Sequence, residues 1–167
     1  MTTMVTTKKK IGLVPGRFAP FHKGHELLMQ RALAEVEEVV CLIFDTDDIS
    51  VPLDVRANWI RTLYPTVKVI EGYNCPNGRD YAYEKGEDCE KVQNNYIIKK
   101  LDGIEITHVF SSELYGESVA NALGAAHVIV DLPRNTIHIS GTEIRKNPKQ
   151  YADFMSPIVY DSFMSYI

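Results

Sequence analysis

Apolar runs of strand length alternate with helical patterns along this chain, and no other feature constrains its fold as strongly. The strand-like runs lie at residues 11–14, 39–44, 67–70, 107–110 and 126–130, and helical spacing of apolar residues occupies 24–36, 54–64, 90–101 and 115–123. Such a series predicts a mostly parallel sheet with helices on both faces. We therefore expect an α/β fold, a Rossmann-like doubly wound parallel sheet of about five strands.

Polar residues follow most of the predicted strands. The first strand runs into a loop with two histidines, and the second, fourth and fifth run into residues 45–48, 111–113 and 131–134. In open parallel sheets, ligands bind outside the carboxyl ends of the strands, where the strand order reverses. The sequence therefore predicts a ligand site built from these loops.

The loop after the first strand, residues 16–25, reads G-R-F-A-P-F-H-K-G-H. His22 and His25 are three residues apart and share one face at the start of a helix. Unpaired backbone N–H groups and the positive end of the helix dipole favour anions there. This predicts a site for a polyphosphate. Two surface histidines, or half of a zinc site, are the alternatives, although the other histidines lie far away in sequence.

A second motif, I-S-G-T-E-I-R, occupies residues 139–145. Ser140 and Glu143 have the spacing of a capping box, which predicts another helix start with Arg145 on its first or second turn. Taken alone, this motif indicates only a well-capped helix.

Composition narrows the class of protein. A formal net charge of −4 disfavours nucleic acid as a partner, and no apolar run approaches the length of a membrane span. Residues 1–10 carry charge without the apolar stretch of a secretory signal, and three cysteines without C-x-x-C spacing fit reduced thiols. We expect a flexible segment at 1–10, a single domain at 11–167 and a cytoplasmic location. The oligomeric state stays open, a homo-oligomer included.

Together, and in this order, the two motifs resemble the paired signatures of the nucleotidylyltransferase superfamily, G-x-F-x-P-x-H-x-G-H and I-S-x-T-x-x-R. With residues 109–117, 130–134 and 147–154, nearly the whole chain resembles the adenylyltransferase domain of NadR-type bifunctional nicotinamide-nucleotide adenylyltransferase/ribosylnicotinamide kinase proteins. The resemblance implies an enzyme that transfers AMP from ATP to nicotinamide mononucleotide, giving NAD and pyrophosphate. It also implies that Mg²⁺ is carried on ATP.

The resemblance implies roles for individual residues as well. The catalytic residues would be His22, His25 and Arg145. The ATP site would comprise Gly16, Arg17, Phe18, His22, His25, Ser112, Asp131, Arg134, Ser140, Thr142 and Arg145, with Ser140 and Arg145 on the β- and γ-phosphates. From its position after the second strand, Asp45 is expected in the acceptor site, and Trp59, Asn77 and Arg79 are the other candidates for it.

Two of these acceptor positions have other interpretations. Trp59 lies in a helical pattern where core packing is the usual role of a tryptophan. Asn77 belongs to a Pro-Asn-Gly sequence typical of a surface turn, and Arg79 stands where the family is expected to have a tryptophan.

The implied reaction needs little from the protein beyond alignment and charge. A phosphomonoester has a second pKa of about 6, so the attacking oxygen is ionised at neutral pH without a general base. Histidine, arginine and hydroxyl groups that position and neutralise phosphates are then chemically sufficient.

Other functions fit the same two motifs. Adenylyl transfer to phosphopantetheine, cytidylyl transfer to an alcohol phosphate and a nucleotide-sensing module without turnover are the alternatives, and a tRNA synthetase would need a further domain. Because no G-x-x-x-x-G-K-[ST] phosphate loop occurs in the sequence, kinase activity is not expected.

Overall fold

A five-stranded, all-parallel sheet forms the centre of the protein, in a computed structural model that describes residues 8–45, 49–76, 89–112, 115–131 and 136–167. The strands are β1 (Ile11–Gly16), β2 (Glu38–Phe44), β3 (Lys68–Gly72), β4 (His108–Ser111) and β5 (Ala126–Ile129). Their order across the sheet is β3-β2-β1-β4-β5.

Helices connect these strands and follow the last one. They are α1 (Lys23–Glu35), α2 (Leu53–Leu63), α3 (Cys89–Leu101), α4 (Tyr115–Leu123), α5 (Gly141–Lys146) and α6 (Pro157–Met164), with a 3₁₀ turn at Ala152–Phe154. Every predicted strand and helix is present, with bounds within two residues of those expected. The predicted α/β fold is therefore confirmed.

Apolar side chains cover both faces of the sheet, which explains the continuous apolar runs in the sequence. Successive residues point to opposite faces: Val14 belongs to the cluster with α1 and α2, and its neighbour Leu13 belongs to the cluster with α3 and α4. Residues 39–43 of β2 alternate in the same way. The buried strands therefore hold their carboxyl ends in fixed register.

The strand order reverses beside β1. The chain moves from β1 outward to β2 and β3 on one side, then returns to β4 and β5 on the other. Loops that leave β1 and β4 consequently run in opposite directions and open a crevice between them. This is where the sequence predicted a ligand site.

The amino terminus pairs with the sheet where it is described. Of the predicted flexible segment, residues 1–7 lie outside the described part of the chain. The carbonyl of Lys10 accepts from the backbone N–H groups of Glu37 and Glu38 at 3.0 and 3.3 Å. Among the helices described, none is long and apolar enough to cross a membrane.

A tight junction joins α4 to the sheet at the carboxyl end of β4. Ser111 Oγ lies 2.8 Å from His127 Nε2, in a hydrogen bond between β4 and β5. Gly116 packs directly on this pair: a Cβ there would lie 2.1 Å from Ser111 Oγ and 2.6 Å from His127 Nε2. Any side chain at position 116 would push α4 away from the sheet.

We expect Gly116→Ala to destabilise the protein, although alanine ordinarily favours a helix over glycine by about 1 kcal/mol. Overpacking against Ser111 and His127 costs about 1–3 kcal/mol, so the net effect is a lower melting temperature. Asn121→Ala, at an exposed position of the same helix, is the control and should change stability by less than about 0.5 kcal/mol. Thermal unfolding measures both, and an unchanged or higher melting temperature for Gly116→Ala would contradict the packing described.

Candidate active site

A cleft of about 620 Å³ opens at the carboxyl ends of the strands, within the size range of ligand sites. It brings together most of the described residues that the sequence predicted for the site, from loops after β1, β2, β4 and β5. They are Gly16, Arg17, Phe18, His22, His25, Asp45, Ser112, Asp131, Ser140, Thr142 and Arg145.

The two histidines of the first motif cap helix α1 with their own side chains. His22 is the N-cap residue, and its Nδ1 accepts from the backbone N–H of Gly24 at 3.0 Å. His25 Nδ1 in turn accepts from the backbone N–H of His22 at 3.2 Å. The glycine is required because a Cβ at position 24 would lie 2.8 Å from Cε1 of His22. A reciprocal capping box therefore orients both rings.

These bonds assign the protonation of each neutral ring. An Nδ1 that accepts from a backbone N–H carries no proton, so the proton of a neutral imidazole is on Nε2. The rings of His22 and His25 are stacked, with centroids 3.7 Å apart, and both residues line the cleft. The pair can thus donate through two neighbouring Nε2–H groups.

Phenylalanines hold the histidine loop on the core. Phe18 and Phe21 are both buried, and each packs against the ring of His25, with centroids 4.8 and 5.5 Å away. Phe18 has a positive φ of 50°, so the backbone turns sharply just before the helix. This aromatic contact fixes the imidazole without using its polar atoms.

The second motif closes on the first through Arg145. Ser140 caps α5 as predicted, with its Oγ accepting from Glu143 N–H at 3.2 Å. Arg145 Nη1 donates to the carbonyl of Ala19 at 2.7 Å, and Nη2 donates to Thr142 Oγ1 at 3.2 Å. The predicted phosphate-binding helix and the histidine loop are therefore joined by one guanidinium.

Two aspartates that line the cleft fix loop backbones. The carboxylate of Asp45 accepts from Asn74 N–H at 2.6 Å and from Cys75 N–H at 3.0 Å. That of Asp131 accepts from the N–H groups of Thr136 and Ile137, each at 2.9 Å. Both residues were predicted to bind substrate, and both use each carboxylate oxygen to hold the protein's own backbone.

Cys75 lies in the wall of the cleft beside Asp45. Burial raises the pKa of its thiol to about 11, and the charge of Asp45 raises it further while that of Arg17 opposes the change. The residue is therefore a neutral thiol at physiological pH. It contributes a polarisable surface to the cleft rather than a nucleophile.

The structure does not bring Trp59 to the cleft. Its side chain is 3% exposed within the core formed by α1 and α2, and it is absent from the residues that line the cleft. Core packing, the alternative interpretation of this residue, is the role that the structure shows. The predicted residues Asn77, Arg79 and Arg134 lie outside the described parts of the chain.

Sequence reasoning missed one wall of the cleft. Glu90, Gln93 and Asn94 of α3 line it, together with Ser118 of α4. Asn94 Nδ2 donates to Ser118 Oγ at 3.0 Å, which ties the two helices together. The sequence does carry a signal for this wall, because residues 90, 93, 94 and 97 share one helical face and only the last is apolar.

Charges in the cleft are unevenly distributed. Arg17 and Arg145 lie with the histidines in the two motifs, and Glu90 lies on α3 among neutral amides. The carboxylates of Asp45 and Asp131 also line the cleft and bond loop backbone. Across the described ranges, no group of three or more histidine, cysteine or acidic side chains could hold a metal ion. The part of the cleft formed by the two motifs suits phosphates, and the part beside α3 suits an uncharged, hydrogen-bonding group.

Comparisons with known proteins identify relatives of this chain. Residues 13–147 match the family described as Cytidylyltransferase-like. The trifunctional NAD biosynthesis/regulator protein NadR of Escherichia coli is 30% identical in an alignment of length 172 that covers 94% of this chain and 41% of that protein. The chain thus spans less than half the length of this relative.

Two further likenesses extend over most of the chain. A probable nicotinate-nucleotide adenylyltransferase of a Nitratiruptor species is 25% identical in an alignment of length 181 that covers 94% of this chain and 98% of that protein. A crystal structure of a NadR protein in complex with NAD and AMP-PNP superimposes with a TM-score of 0.68 at 20% identity, over 90% of this chain and 46% of that one. The second likeness shows a shared fold.

The cap geometry allows the two roles of His22 to be separated. His22→Ala removes both the cap, at a cost of about 0.5–2 kcal/mol, and the Nε2–H donor. His22→Asn keeps a good N-cap but lacks that donor. We expect both variants to lose about 10²–10³ in ATP-dependent pyrophosphate release, and only His22→Ala to melt at a clearly lower temperature. Near-normal turnover in His22→Asn would mean that this histidine serves the helix alone.

Proposed function

Because the chain belongs to the cytidylyltransferase-like family, we propose that it transfers AMP from ATP to nicotinamide mononucleotide, giving NAD and pyrophosphate. The observation that carries this proposal is the convergence of both motifs on one cleft, where Arg145 bonds the histidine loop directly. A triphosphate and an acceptor phosphate must meet at such a point for the transfer to occur.

The family match confirms the resemblance that the two motifs predicted, and with it the class of enzyme, a nucleotidyltransferase. The identity of the two substrates is a more specific proposal than the class of enzyme. It is supported by the names of the Escherichia coli and Nitratiruptor relatives, which concern NAD biosynthesis and nicotinate-nucleotide adenylyl transfer.

The proposed reaction is an in-line displacement. An anionic oxygen of the acceptor phosphate forms a bond to the α-phosphorus of ATP, and the bond from that phosphorus to the bridging oxygen breaks. Pyrophosphate leaves with the electron pair, and no proton has to be removed from the nucleophile. The protein's task is to hold the two phosphates in line and to stabilise the charge that accumulates on the leaving group.

The residues of the cleft supply these functions. His22 and His25 donate through Nε2 to phosphate oxygens, with their orientation set by the capping box. Arg145 supplies a permanent positive charge with several N–H donors, and Ser140 and Thr142 add hydroxyl groups beside it. Arg17 adds a second cation at the end of β1. All of them act by position and charge rather than by proton transfer.

We propose that magnesium enters as part of the MgATP substrate. The carboxylates of Asp45 and Asp131 accept from backbone N–H groups, and the described residues hold no cluster of three or more histidine, cysteine or acidic side chains that could bind an ion by itself. When bound, the ion neutralises triphosphate charge. The reduced thiols Cys41 and Cys75 fit the cytoplasmic location that we propose for the reaction.

An acceptor screen tests the proposal. We expect ATP with nicotinamide mononucleotide to release pyrophosphate and form NAD, and CTP with the same acceptor to give much less product. The acid mononucleotide is the second acceptor to test, because the Nitratiruptor relative is named for it. Product formation is followed by chromatography and pyrophosphate release, with phosphopantetheine and glycerol phosphate as further acceptors. Activity with one of these alone would keep the fold and refute the nicotinamide assignment.

Arg145→Lys should reduce ATP use more than its unchanged charge suggests. A guanidinium can bond Ala19 and still offer donors to two phosphate oxygens, whereas an ammonium lacks this planar fork. We expect kcat/KM for ATP to fall about 10²-fold or more. Lys146→Arg, on the same helix at an exposed position, is the control and should leave kcat/KM for ATP unchanged. Unchanged kinetics in Arg145→Lys would mean that α5 does not face the triphosphate.

A further inference from the structure

A buried arginine bridges the point at which the first two strands separate. Arg56, in the second turn of α2, is 1% exposed, and it lies outside the motifs that predicted the site. Its Nε donates to the carbonyl of Val51 at 3.1 Å. Its Nη1 donates to the carbonyls of Arg17 and Phe44, at 2.5 and 3.1 Å. One guanidinium thus binds three separate segments of backbone.

The place of the Arg17 and Phe44 carbonyls explains why this bridge matters. In the parallel ladder, Gly16 of β1 lies opposite Ile43 of β2, and that is the last pair. Arg17 and Phe44 are the next residues along each strand, where the ladder has ended. Nη1 of Arg56 therefore replaces the missing backbone pair and sets the distance between the segments that continue from β1 and β2 as they diverge.

The segments that follow β1 and β2 both lead directly into the cleft. Arg17 precedes the sharp turn at Phe18 that sends the chain toward the histidines, and Phe44 precedes Asp45, whose carboxylate fixes the loop after β3. Burial lowers the pKa of Arg56, the charge of Asp45 raises it and the like charge of Arg17 lowers it, so both cleft residues lie near the guanidinium. The group remains charged at neutral pH.

We propose that Arg56 is a positioning residue for nucleotidylyl transfer: by holding the Arg17 and Phe44 carbonyls together, it sets the separation of the histidine loop from the wall anchored by Asp45. The inference rests on the proposed function, because the reacting phosphates are then held between these two edges. Arg56 itself is buried beneath them and touches neither substrate. Its effect is on alignment.

Kinetics separates positioning from simple core packing. Arg56→Lys keeps the charge but loses the planar fork that reaches three carbonyls, and a misplacement of about 1 Å can cost about 10²-fold in rate. We expect kcat to fall about 10- to 100-fold and KM for ATP to rise about tenfold, because the loop that carries Arg17 shifts, with little change in KM for the acceptor. Arg56→Gln, which keeps uncharged donors, should show the same pattern.

Ile60→Ala is the matched control, because Ile60 is also fully buried in α2 and has no polar atom. It should lower the melting temperature by at least as much as Arg56→Lys does and leave kcat unchanged, with all assays run where every variant is folded. A kcat for Arg56→Lys within about twofold of that for Ile60→Ala would overturn the proposal. Loss of a cooperative melting transition in both Arg56 variants would also overturn it, since the residue would then be needed for the fold itself.

A binding measurement keeps this inference distinct from the proposed function. If the wild-type protein forms no dinucleotide in the acceptor screen, the proposed function fails. Calorimetry with a non-hydrolysable ATP analogue then tests the positioning role alone. Arg56→Lys should weaken that affinity about tenfold relative to Ile60→Ala because the loop that carries Arg17 shifts. Equal affinities in the two variants would overturn the positioning role.

Discussion

The cleft depends on satisfying backbone polar groups at the point where the sheet can no longer do so. Parallel strands pair fully along their length, but beyond their carboxyl ends the chains diverge and their N–H and C=O groups lose ladder partners. Charged side chains take over this role. Arg56 and Arg145 donate to the carbonyls of Arg17, Phe44 and Ala19, while Asp45 and Asp131 each accept from two successive N–H groups. Cations hold the carbonyls, anions hold the amides, and the loops around the cleft are fixed as a result.

The same requirement shapes the histidine pair. A helix start leaves backbone N–H groups without partners, and a serine or aspartate would ordinarily accept from them. Here, His22 and His25 do so through Nδ1, which leaves Nε2 as the donor atom of each neutral ring. The cap and the proposed anion site are therefore parts of one arrangement. A serine in place of His22 would cap the helix equally well and could not extend a ring nitrogen into the cleft.

Local pattern was sufficient to predict the elements and both motifs, because strand and helix periodicities depend on neighbours in sequence. It placed Ser140 at a helix start and His22 beside His25 correctly. It could not find the partners of Arg56, which lie 5, 12 and 39 residues away and meet only when α2 packs under the sheet. Trp59 illustrates the same limit: its helix was predicted, but whether the ring faces the core or the cleft depends on how that helix is rotated. The polar face of α3 is a different case, because it could have been predicted from the spacing of its polar residues. The prediction needs only the rule that helices in such folds begin at the carboxyl ends of strands.

Arg145 combines a contact that holds the fold with the role that we propose for it in the reaction. A guanidinium carries five N–H donors in one plane, and Arg145 uses Nη1 to bond Ala19 and Nη2 to bond Thr142. We propose that the same group binds phosphate oxygens while its bond to Ala19 holds the histidine loop. The group is then already oriented before the nucleotide arrives, so little side-chain entropy is lost on binding. An arrangement of this kind favours a rigid cleft, and neutral polar side chains such as Asn74, Cys75 and Asn94 line other parts of it.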